Sequence, residues 1–370
     1  MQDKVLLNKN DEIEDFVSSL DVKNALSIDF EFMRRDTFYP TPCLIQISDG
    51  EKHACIDLLT NIDFKSILKN RFIECKKIVI HSYRQDLEIL KMMFDYIPHN
   101  IFDTQLASSF LNYKYQVSYA ELVDEMFNIK IDKSSKLTNW EKRPLTDKQI
   151  SYAINDVVYL SMLYKKLEME LEKENKILWY EDEMKYKINS FESSSNISEI
   201  WERIKGIHKL KEEARKIAKI IAVWREQKAI KINVPRNWIL KGDQIIDVAI
   251  DYTNEESLNR SFIKSNYIRD DDINHLNTFI SENINNNVYA IDQKKSFYLS
   301  DMDKSFIKDI REKFKEIAIN NKIPPELFSS KKDVIQLVSE KSLDSRIING
   351  WRKELISKEF YNKIANYMTN

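Results

Sequence analysis

The stretch ALSIDFEF, residues 25–32, carries two acids, Asp29 and Glu31, two positions apart within an apolar run. Its length and its content of Ile, Leu and Phe predict a β-strand. Side chains two positions apart in a strand lie on the same face, so the two carboxylates share one face. That arrangement is unfavourable unless cations compensate it, and hard divalent cations prefer carboxylate oxygens. The stretch therefore predicts a metal-binding strand. The alternative, an edge strand with solvated acids, is disfavoured by its apolar neighbours.

Three more short apolar runs predict strands, namely CLIQIS (43–48), HACIDLL (53–59) and KIVIHS (77–82). Apolar residues at three- and four-residue spacing predict helices in 84–94 and 104–112. Strands that alternate with helices indicate an α/β layered fold for this first part of the chain.

The chain changes character after FESSSNISE (191–199), which contains four serines, lacks apolar periodicity and predicts a linker. Beyond it the spacing is helical, as in 207–230. This tail repeats itself at an offset of 90 residues, and the matches include Pro235 with Pro325 and Lys241 with Lys331. Chance similarity between two amphipathic helices rich in Lys and Ile is the alternative. The shared proline break favours duplication and predicts two small helical domains in tandem.

Composition excludes several classes of protein. A chain of 370 residues is too long for one ordinary domain. No apolar run approaches the roughly 18 residues of a membrane span, and the N-terminus lacks the features of a signal peptide, which predicts a cytoplasmic location. Three cysteines without a C-x-x-C pair disfavour a disulfide framework or a structural zinc site. Only four glycines are present, and they form no Gly-rich phosphate loop.

The formal net charge of −2 conceals an asymmetry between the two halves of the chain. Residues 1–193 contain 26 Lys and Arg against 33 Asp and Glu, whereas 194–370 contain 31 against 26. Within 203–241 the basic residues number 12 and the acidic ones 3. The acidic half suits cation binding, and the basic stretch suits a polyanion. A solvated helix face rich in Lys is the alternative for the basic stretch.

Two further acids complete a constellation with the strand. Asp86 follows a predicted strand and opens a helix, where an acid also simply complements the helix dipole. Tyr152 and Asp156 are four apart and share a helix face. Four carboxylates suit phosphodiester hydrolysis, because two divalent ions about 3.5–4 Å apart stabilise the attacking and leaving oxygens. A Tyr hydroxyl with a pKa of about 10 is a poor base but can hold the attacking water. The sequence contains no recognisable Ser–His or Cys–His pair, so covalent catalysis is not indicated.

The order D-x-E, D, Y-x-x-x-D resembles the ribonuclease D family of 3′–5′ exonucleases, in its tyrosine subclass. The resemblance covers the whole chain. Its motifs in the first part are LSIDFEF (26–32), PCLIQIS (42–48), IHSYRQDLEIL (80–90), FDTQLASSFL (102–111), NWEKRPLT (139–146) and YAINDVVYL (152–160). In the tail, AVWREQKA (222–229) and GWRKEL (350–355) look like two helicase-and-ribonuclease-D C-terminal (HRDC) domains.

The resemblance implies a multidomain α/β plus all-α protein. Its parts would be a ribonuclease-H-like exonuclease domain and two HRDC-like helical domains, over 1–193, 194–288 and 289–370. It implies two divalent ions, Mg²⁺ or Mn²⁺, and a Tyr152 that positions the water. The implied metal ligands are Asp29, Glu31, Asp86 and Asp156. Phe30 departs from the small polar residue usual between the first two acids, which puts in doubt the contact with the substrate terminus.

Other residues are candidates for substrate contacts. Arg34, Arg35, Phe38 and Tyr39 follow the acidic strand, and they either bind terminal nucleotides by phosphate pairing and stacking or line an ordinary surface loop. Trp140 and Arg143 precede the helix that carries Tyr152 and Asp156. They either border the substrate channel or have an ordinary structural position. Structural roles are favoured for the remaining candidates: a strand-end position for His81, a helix cap for Asp103 and core packing for Trp224 and Trp351.

The function expected from this resemblance is that of a metal-dependent 3′–5′ exoribonuclease. It would release 5′-mononucleotides and act as a monomer on RNA, tRNA precursors with 3′ extensions first. A DNA exonuclease is one alternative, because the chemistry of the site does not distinguish ribose from deoxyribose. An RNA-binding protein with an inactive nuclease domain is another, which the presence of all four acids and Tyr152 disfavours. The basic tail is expected either to bind RNA electrostatically or only to pack against the catalytic domain.

Overall fold

The structure is a computed structural model that describes residues 5–369 apart from 61–64, 133, 135–137, 195–196, 256, 264 and 286–298. The chain forms two compact units. The first, here called the sheet unit, comprises Met1–Met33, Pro42–Ile188 and Leu299–Asn370. The second, here called the helical unit, comprises Arg34–Thr41 and Asn189–Tyr298.

A six-stranded mixed sheet organises the sheet unit, in the order β1-β4-β3-β2-β5-β6. The pairs β1/β4, β2/β5 and β5/β6 are parallel and β3/β4 is antiparallel. All four strands predicted from the sequence are present, and the strand with the two acids, β2, lies inside the sheet. The strands are β1 (Leu6–Leu7), β2 (Ala25–Met33), β3 (Thr41–Ser48), β4 (His53–Asp57), β5 (Lys77–Ile80) and β6 (Ile101–Asp103).

Helices pack on this sheet, and the longest of them, α6, contacts β2. A capping box of Thr146 and Gln149 starts α6. The hydroxyls of Ser27 on β2 and Ser161 on α6 are hydrogen-bonded at 2.8 Å in the interior, which fixes the helix along the strand. The helices of this part are α1 (Asn10–Ser19), α2 (Lys65–Glu74), α3 (Arg84–Phe94), α4 (Thr104–Phe110), α5 (Tyr119–Phe127), α6 (Asp147–Lys173) and α7 (Ile177–Ser194).

The predicted linker 191–199 differs from the structure. The helix α7 continues to Ser194, where the Ser193 hydroxyl donates to the Asn189 carbonyl at 2.9 Å, and a 3₁₀ helix spans Ile197–Arg203. The Ser193 side-chain bond shows how a helix accommodates one of the serines that suggested a break, whereas residues 195–196 of the predicted linker lie outside the described residues. The helices that follow are α8 (Glu212–Lys231), α9 (Arg236–Ile239), α10 (Gly242–Glu255) and α11 (Asp270–Asn285).

The last part of the chain repeats this helix order within the sheet unit, with one additional short helix, α15, before the last. Its helices are α12 (Asp301–Asn320), α13 (Pro325–Phe328), α14 (Lys331–Glu340), α15 (Trp351–Leu355) and α16 (Lys358–Thr369). Trp224 and Trp351 are each 2% exposed, which confirms that both are core residues. The division into 1–193, 194–288 and 289–370 stays a prediction, and its second boundary lies outside the described residues. Among the described helices, none has the length and apolarity to span a membrane.

The repeat has a register of 89 residues, so the offset of 90 was wrong by one at the proline break. The 20-residue helices α8 and α12 begin 89 apart. Asn233 and Lys322, also 89 apart, both have a positive φ after these helices. Pro235 and Pro324 then occupy the N-cap positions of α9 and α13. The tandem prolines at 324–325 explain the error, because the second one offered a match at 90.

Candidate active site

A cleft of about 430 Å³ in the sheet unit brings the predicted acids together. One carboxylate oxygen each from Asp29, Glu31 and Asp156 can be chosen so that all three lie within 4.8 Å of one another. Asp86 and Tyr152 line the same cleft. The five residues predicted to carry the chemistry thus share one cavity, although they lie up to 127 positions apart in the sequence.

Two hydrogen bonds join α6 to its neighbours. One is the Ser27–Ser161 bond to β2 described above, and in the other the Tyr119 hydroxyl of α5 donates to the Asn155 carbonyl at 2.8 Å. Because Tyr152 and Asp156 are four apart on α6, both face the cleft from one side of that helix. Their position opposite Asp29 is therefore set by tertiary contacts and not by local sequence.

Asp103 anchors the turn that carries Asp86. This turn joins β5 to α3 and passes through Ser82, whose φ is 70°. The Asp103 carboxylate accepts hydrogen bonds from the backbone N–H groups of Ser82, at 3.1 Å, and Tyr83, at 3.0 Å. It also accepts two bonds from the first turn of α4, which confirms the predicted helix cap. One carboxylate therefore caps α4 and fixes the backbone just before Asp86.

The cleft disfavours negative charge in the absence of cations. Burial, together with the nearby Asp29 and Asp103, raises the pKa of Asp86 well above its ordinary value. Burial and the neighbouring Asp156, Glu31 and Asp29 likewise raise the pKa of Tyr152, and a hydrogen bond with Asp156 adds to the effect. The Tyr152 hydroxyl therefore stays protonated at neutral pH and acts as a hydrogen-bond donor rather than a base.

This donor set fits divalent cations. Hard ions such as Mg²⁺ take carboxylate oxygens and keep several waters, which suits an open cleft with few protein ligands. The clustered oxygens of Asp29, Glu31 and Asp156 would repel one another without positive charge between them. Asp86, buried and 5% exposed, offers a fourth carboxylate in the same cavity.

The candidates for substrate contacts are distributed more widely. Phe30 lines the cleft but is only 4% exposed. Arg34, Arg35 and Tyr39 belong to the helical unit and are not among the residues that line the cleft. In that unit the backbone N–H groups of Phe38 and Tyr39 donate to the Asn233 side-chain oxygen at 3.1 and 3.2 Å. A substrate contact by any of these residues stays a prediction.

Trp140 and Arg143 have structural partners in the sheet unit. Trp140 is 1% exposed and packs in a cluster with Cys43, Cys55 and Ala153. The Arg143 guanidinium binds the Asp57 carboxylate through Nε and Nη2, each at 2.6 Å. It also donates to the carbonyls of Cys43, Trp140 and Lys142. Neither side chain is among the cleft-lining residues, so their contact with substrate also stays a prediction.

Several cleft residues were not found from the sequence. They include Gln85, which lies within the motif IHSYRQDLEIL but was not singled out, and Ser118 and Tyr119, which lie outside the motifs. His81 also lines the cleft. Its Nε2 donates to the Val117 carbonyl at 3.1 Å, and its Nδ1 lies 3.0 Å from the Thr104 hydroxyl. Both ring nitrogens thus have structural partners, as expected for a strand-end histidine.

Comparisons with known proteins agree with this geometry. Residues 5–172 match a family of 3′–5′ exonuclease domains. The chain is 30% identical over 99% of its length to ribonuclease D of Bartonella henselae, of which it covers 92%. It is 32% identical to ribonuclease D of Desulfotalea psychrophila, with 98% of each chain covered.

The chain belongs to the ribonuclease D family. It is therefore a 3′–5′ exoribonuclease that acts on RNA and depends on divalent metal ions. The crystal structure of Escherichia coli ribonuclease D shares its fold, with a TM-score of 0.81, 23% identity and 98% of each chain covered. This likeness confirms the prediction of a ribonuclease-H-like exonuclease domain followed by a helical region.

Proposed function

We propose that this member of the ribonuclease D family trims 3′ extensions from tRNA precursors and releases 5′-mononucleotides with the aid of two ions, Mg²⁺ or Mn²⁺. The observation that supports this most directly is the cleft in which Asp29, Glu31 and Asp156 cluster beside Asp86. The E. coli enzyme that shares the fold is described as an exoribonuclease involved in structured RNA processing, which favours a structured substrate.

The residues of the cleft have three different roles in the proposed reaction. The four carboxylates hold the cations, and β2 supplies two of them from one face. Divalent ions in such a site neutralise charge on the scissile phosphate and favour ionisation of the attacking water. The protonated Tyr152 hydroxyl, which is hydrogen-bonded to Asp156, orients that water through its oxygen, which accepts a hydrogen bond from the water. Leu160 and Phe30, which also line the cleft, limit the access of bulk water around the reacting phosphate.

The test is a product ladder. Full-length protein freed of metal with a chelator is incubated with 3′-extended tRNA, mature tRNA, single-stranded RNA and single-stranded DNA, each with Mg²⁺ or Mn²⁺. We expect stepwise shortening of extended tRNA from its 3′ end and release of 5′-mononucleotides. Equal digestion of DNA would replace the proposal with a DNA exonuclease. Binding without release would indicate an inactive RNA-binding protein.

Substitution of single carboxylates tests the assignment of ligands. Asp29→Asn, Glu31→Gln and Asp156→Asn should each nearly abolish hydrolysis, because each removes one ligand charge from the site. The matched control is Glu51→Gln, an exposed acid of the sheet unit outside the cleft. Wild-type turnover in any of the three would remove that residue from the site. The expectations of a monomer and of a cytoplasmic location stay predictions.

A further inference from the structure

The helical unit carries an exposed aromatic pair beside a cavity of about 660 Å³. The rings of Trp238 and Tyr267 are stacked, with centroids 5.4 Å apart and planes 26° apart. Trp238 is nevertheless 39% exposed and Tyr267 37% exposed. We call this the Trp238 surface, and its lining includes Asn237, Trp238, Lys241, Arg260, Asn266 and Tyr267.

Hydrogen bonds hold this surface in one conformation. The Ser265 hydroxyl donates to the Trp238 carbonyl at 2.8 Å, which joins the loop that carries Tyr267 to α9. The Arg260 guanidinium donates to the carbonyls of Ser265 and Ile268 on either side of Tyr267. These hydrogen bonds therefore fix the backbone of the loop that carries Tyr267 next to Trp238.

The second copy of the repeat shows that the fold does not require these aromatics. Leu327, 89 residues after Trp238, is only 2% exposed. Leu355, at the end of α15, has the same position relative to the next helix as Tyr267, because each directly precedes a buried isoleucine two residues before that helix, Ile268 before α11 and Ile356 before α16. Leucines are thus sufficient for the fold at these two positions of the second copy, and the exposed aromatic pair is a property of the first copy alone. This points to a ligand.

The chemistry of the surface matches an unpaired nucleic-acid strand. Exposed aromatic rings stack on nucleobases of any sequence, and lysines contact phosphates. Lys241 is not among the ion-paired lysines of the described residues of this unit, and the stretch 203–241 is strongly basic. RNA is the polymer on which this exoribonuclease acts. We propose that the Trp238 surface binds unpaired nucleotides of the RNA substrate by stacking, with Lys241 on a phosphate. The inference rests on the chain's activity on RNA.

Binding measurements test the proposal. Full-length protein with the inactivating change Asp29→Asn is titrated into a fluorescently labelled 20-nucleotide oligoadenylate and a blunt 20-base-pair RNA duplex. Trp238→Ala should weaken binding of the single strand about 5- to 150-fold, the loss expected for one stacked base, and leave the duplex unaffected. Trp238→Phe should restore most of the affinity. Lys241→Ala should lower the slope of log affinity against log salt by roughly 0.7.

The matched control is Ile250→Ala, which truncates an apolar side chain of similar exposure, 41%, in the same unit. Unchanged single-strand binding in Trp238→Ala would overturn the proposal, because RNA would then not be the ligand of this surface. An equal loss in Ile250→Ala would also overturn it. Hydrolysis of a trinucleotide by the otherwise wild-type Trp238→Ala protein separates this inference from the proposed function. Loss of oligoadenylate binding with intact trinucleotide hydrolysis supports the surface, whereas an inactive wild-type protein contradicts the function alone.

Discussion

Arg352 and Glu183 form a buried ion pair, in which Nη1 lies 2.8 Å from Oε2 and the side chains are 3% and 1% exposed. Glu183 also pairs with Arg346 at 3.2 Å and accepts a hydrogen bond from the Trp351 indole at 3.1 Å. Glu183 lies on α7, whereas its partners lie in the last part of the chain. The Glu183 carboxylate is thus one of the groups that join the second helical copy to the exonuclease fold, together with Asp182, which accepts a hydrogen bond from the Trp351 backbone N–H at 3.1 Å.

The first prediction is that Glu183→Gln destabilises the protein by about 3–5 kcal/mol, because it leaves Arg352 buried without a counter-charge. Chemical denaturation with urea measures the free energy of unfolding. The matched control is Glu181→Gln on the same helix, where the carboxylate is 49% exposed and lies 3.8 Å from Lys77. That change should stay within about 0.5 kcal/mol of wild type. Similar losses in both variants would contradict the role of the buried pair.

The second prediction concerns pH. Burial acts to raise the pKa of Glu183, but Arg352, Lys187 and Arg346 outweigh it and hold the pKa below its ordinary value of 4.5. A depressed folded-state pKa contributes stability above the unfolded-state pKa and loses it as pH falls through the folded-state value. The stability difference between wild type and Glu183→Gln should therefore be constant above about pH 5 and shrink below pH 4.5. A difference that does not change down to acid unfolding would contradict this.

The sequence revealed those parts of the site that have a local signature. Asp29 and Glu31 follow from the alternation of one strand, and the capping role of Asp103 follows from its place before a helix. Contacts that join distant segments had no such signature. The bidentate pair of Arg143 with Asp57 spans 86 residues, and no motif pointed to it. The attachment of Trp351 to Glu183 was also missed, because the tail showed only helical periodicity and basic charge.

The third prediction separates stability from activity at Asp86. Asp86→Asn should nearly abolish hydrolysis while leaving the metal-free protein at least as stable as wild type. The reason is that burial and the charges of Asp29 and Asp103 already disfavour a carboxylate there, and an amide of the same shape removes that repulsion. Thermal unfolding in the presence of a chelator measures the stability. A marked drop in Tm would contradict the argument from repulsion, and activity equal to wild type would contradict the assignment of Asp86 as a ligand.

The fourth prediction concerns the Tyr152 hydroxyl. Tyr152→Phe should lower the single-turnover rate roughly 10- to 100-fold, as expected from the loss of one hydrogen bond to a charged group in the transition state. Binding of Mn²⁺, measured by titration calorimetry, should stay near the wild-type value because the carboxylates are intact. The control is Tyr164→Phe, which removes a hydroxyl that bonds to Glu168 at 2.7 Å away from the cleft. An unchanged single-turnover rate in Tyr152→Phe would exclude the orienting role.

The fifth prediction is that a chain ending after Phe191 is strongly destabilised. The sequence left open whether the tail binds RNA electrostatically or only packs against the catalytic domain. The contacts of Glu183 with the last part of the chain favour a packing role for that part. Truncation removes Arg346 and Arg352 from Glu183 and also removes Trp351, whose ring lies 5.3 Å from that of Phe110. Of the ion-pair partners described for Glu183, only Lys187 on α7 would remain, at 3.4 Å.

We therefore expect the truncated chain to show a lower Tm and reduced hydrolysis of short and long RNA alike, because the fold that holds the cleft is weakened. Thermal unfolding and rates on a trinucleotide and on 3′-extended tRNA measure this. The contribution of the tail to RNA binding has to be read instead from Trp238→Ala, which alters the helical unit without removing the contacts of Glu183. A truncated chain with a wild-type Tm, active on the trinucleotide but not on tRNA, would restore a purely RNA-binding role for the whole tail.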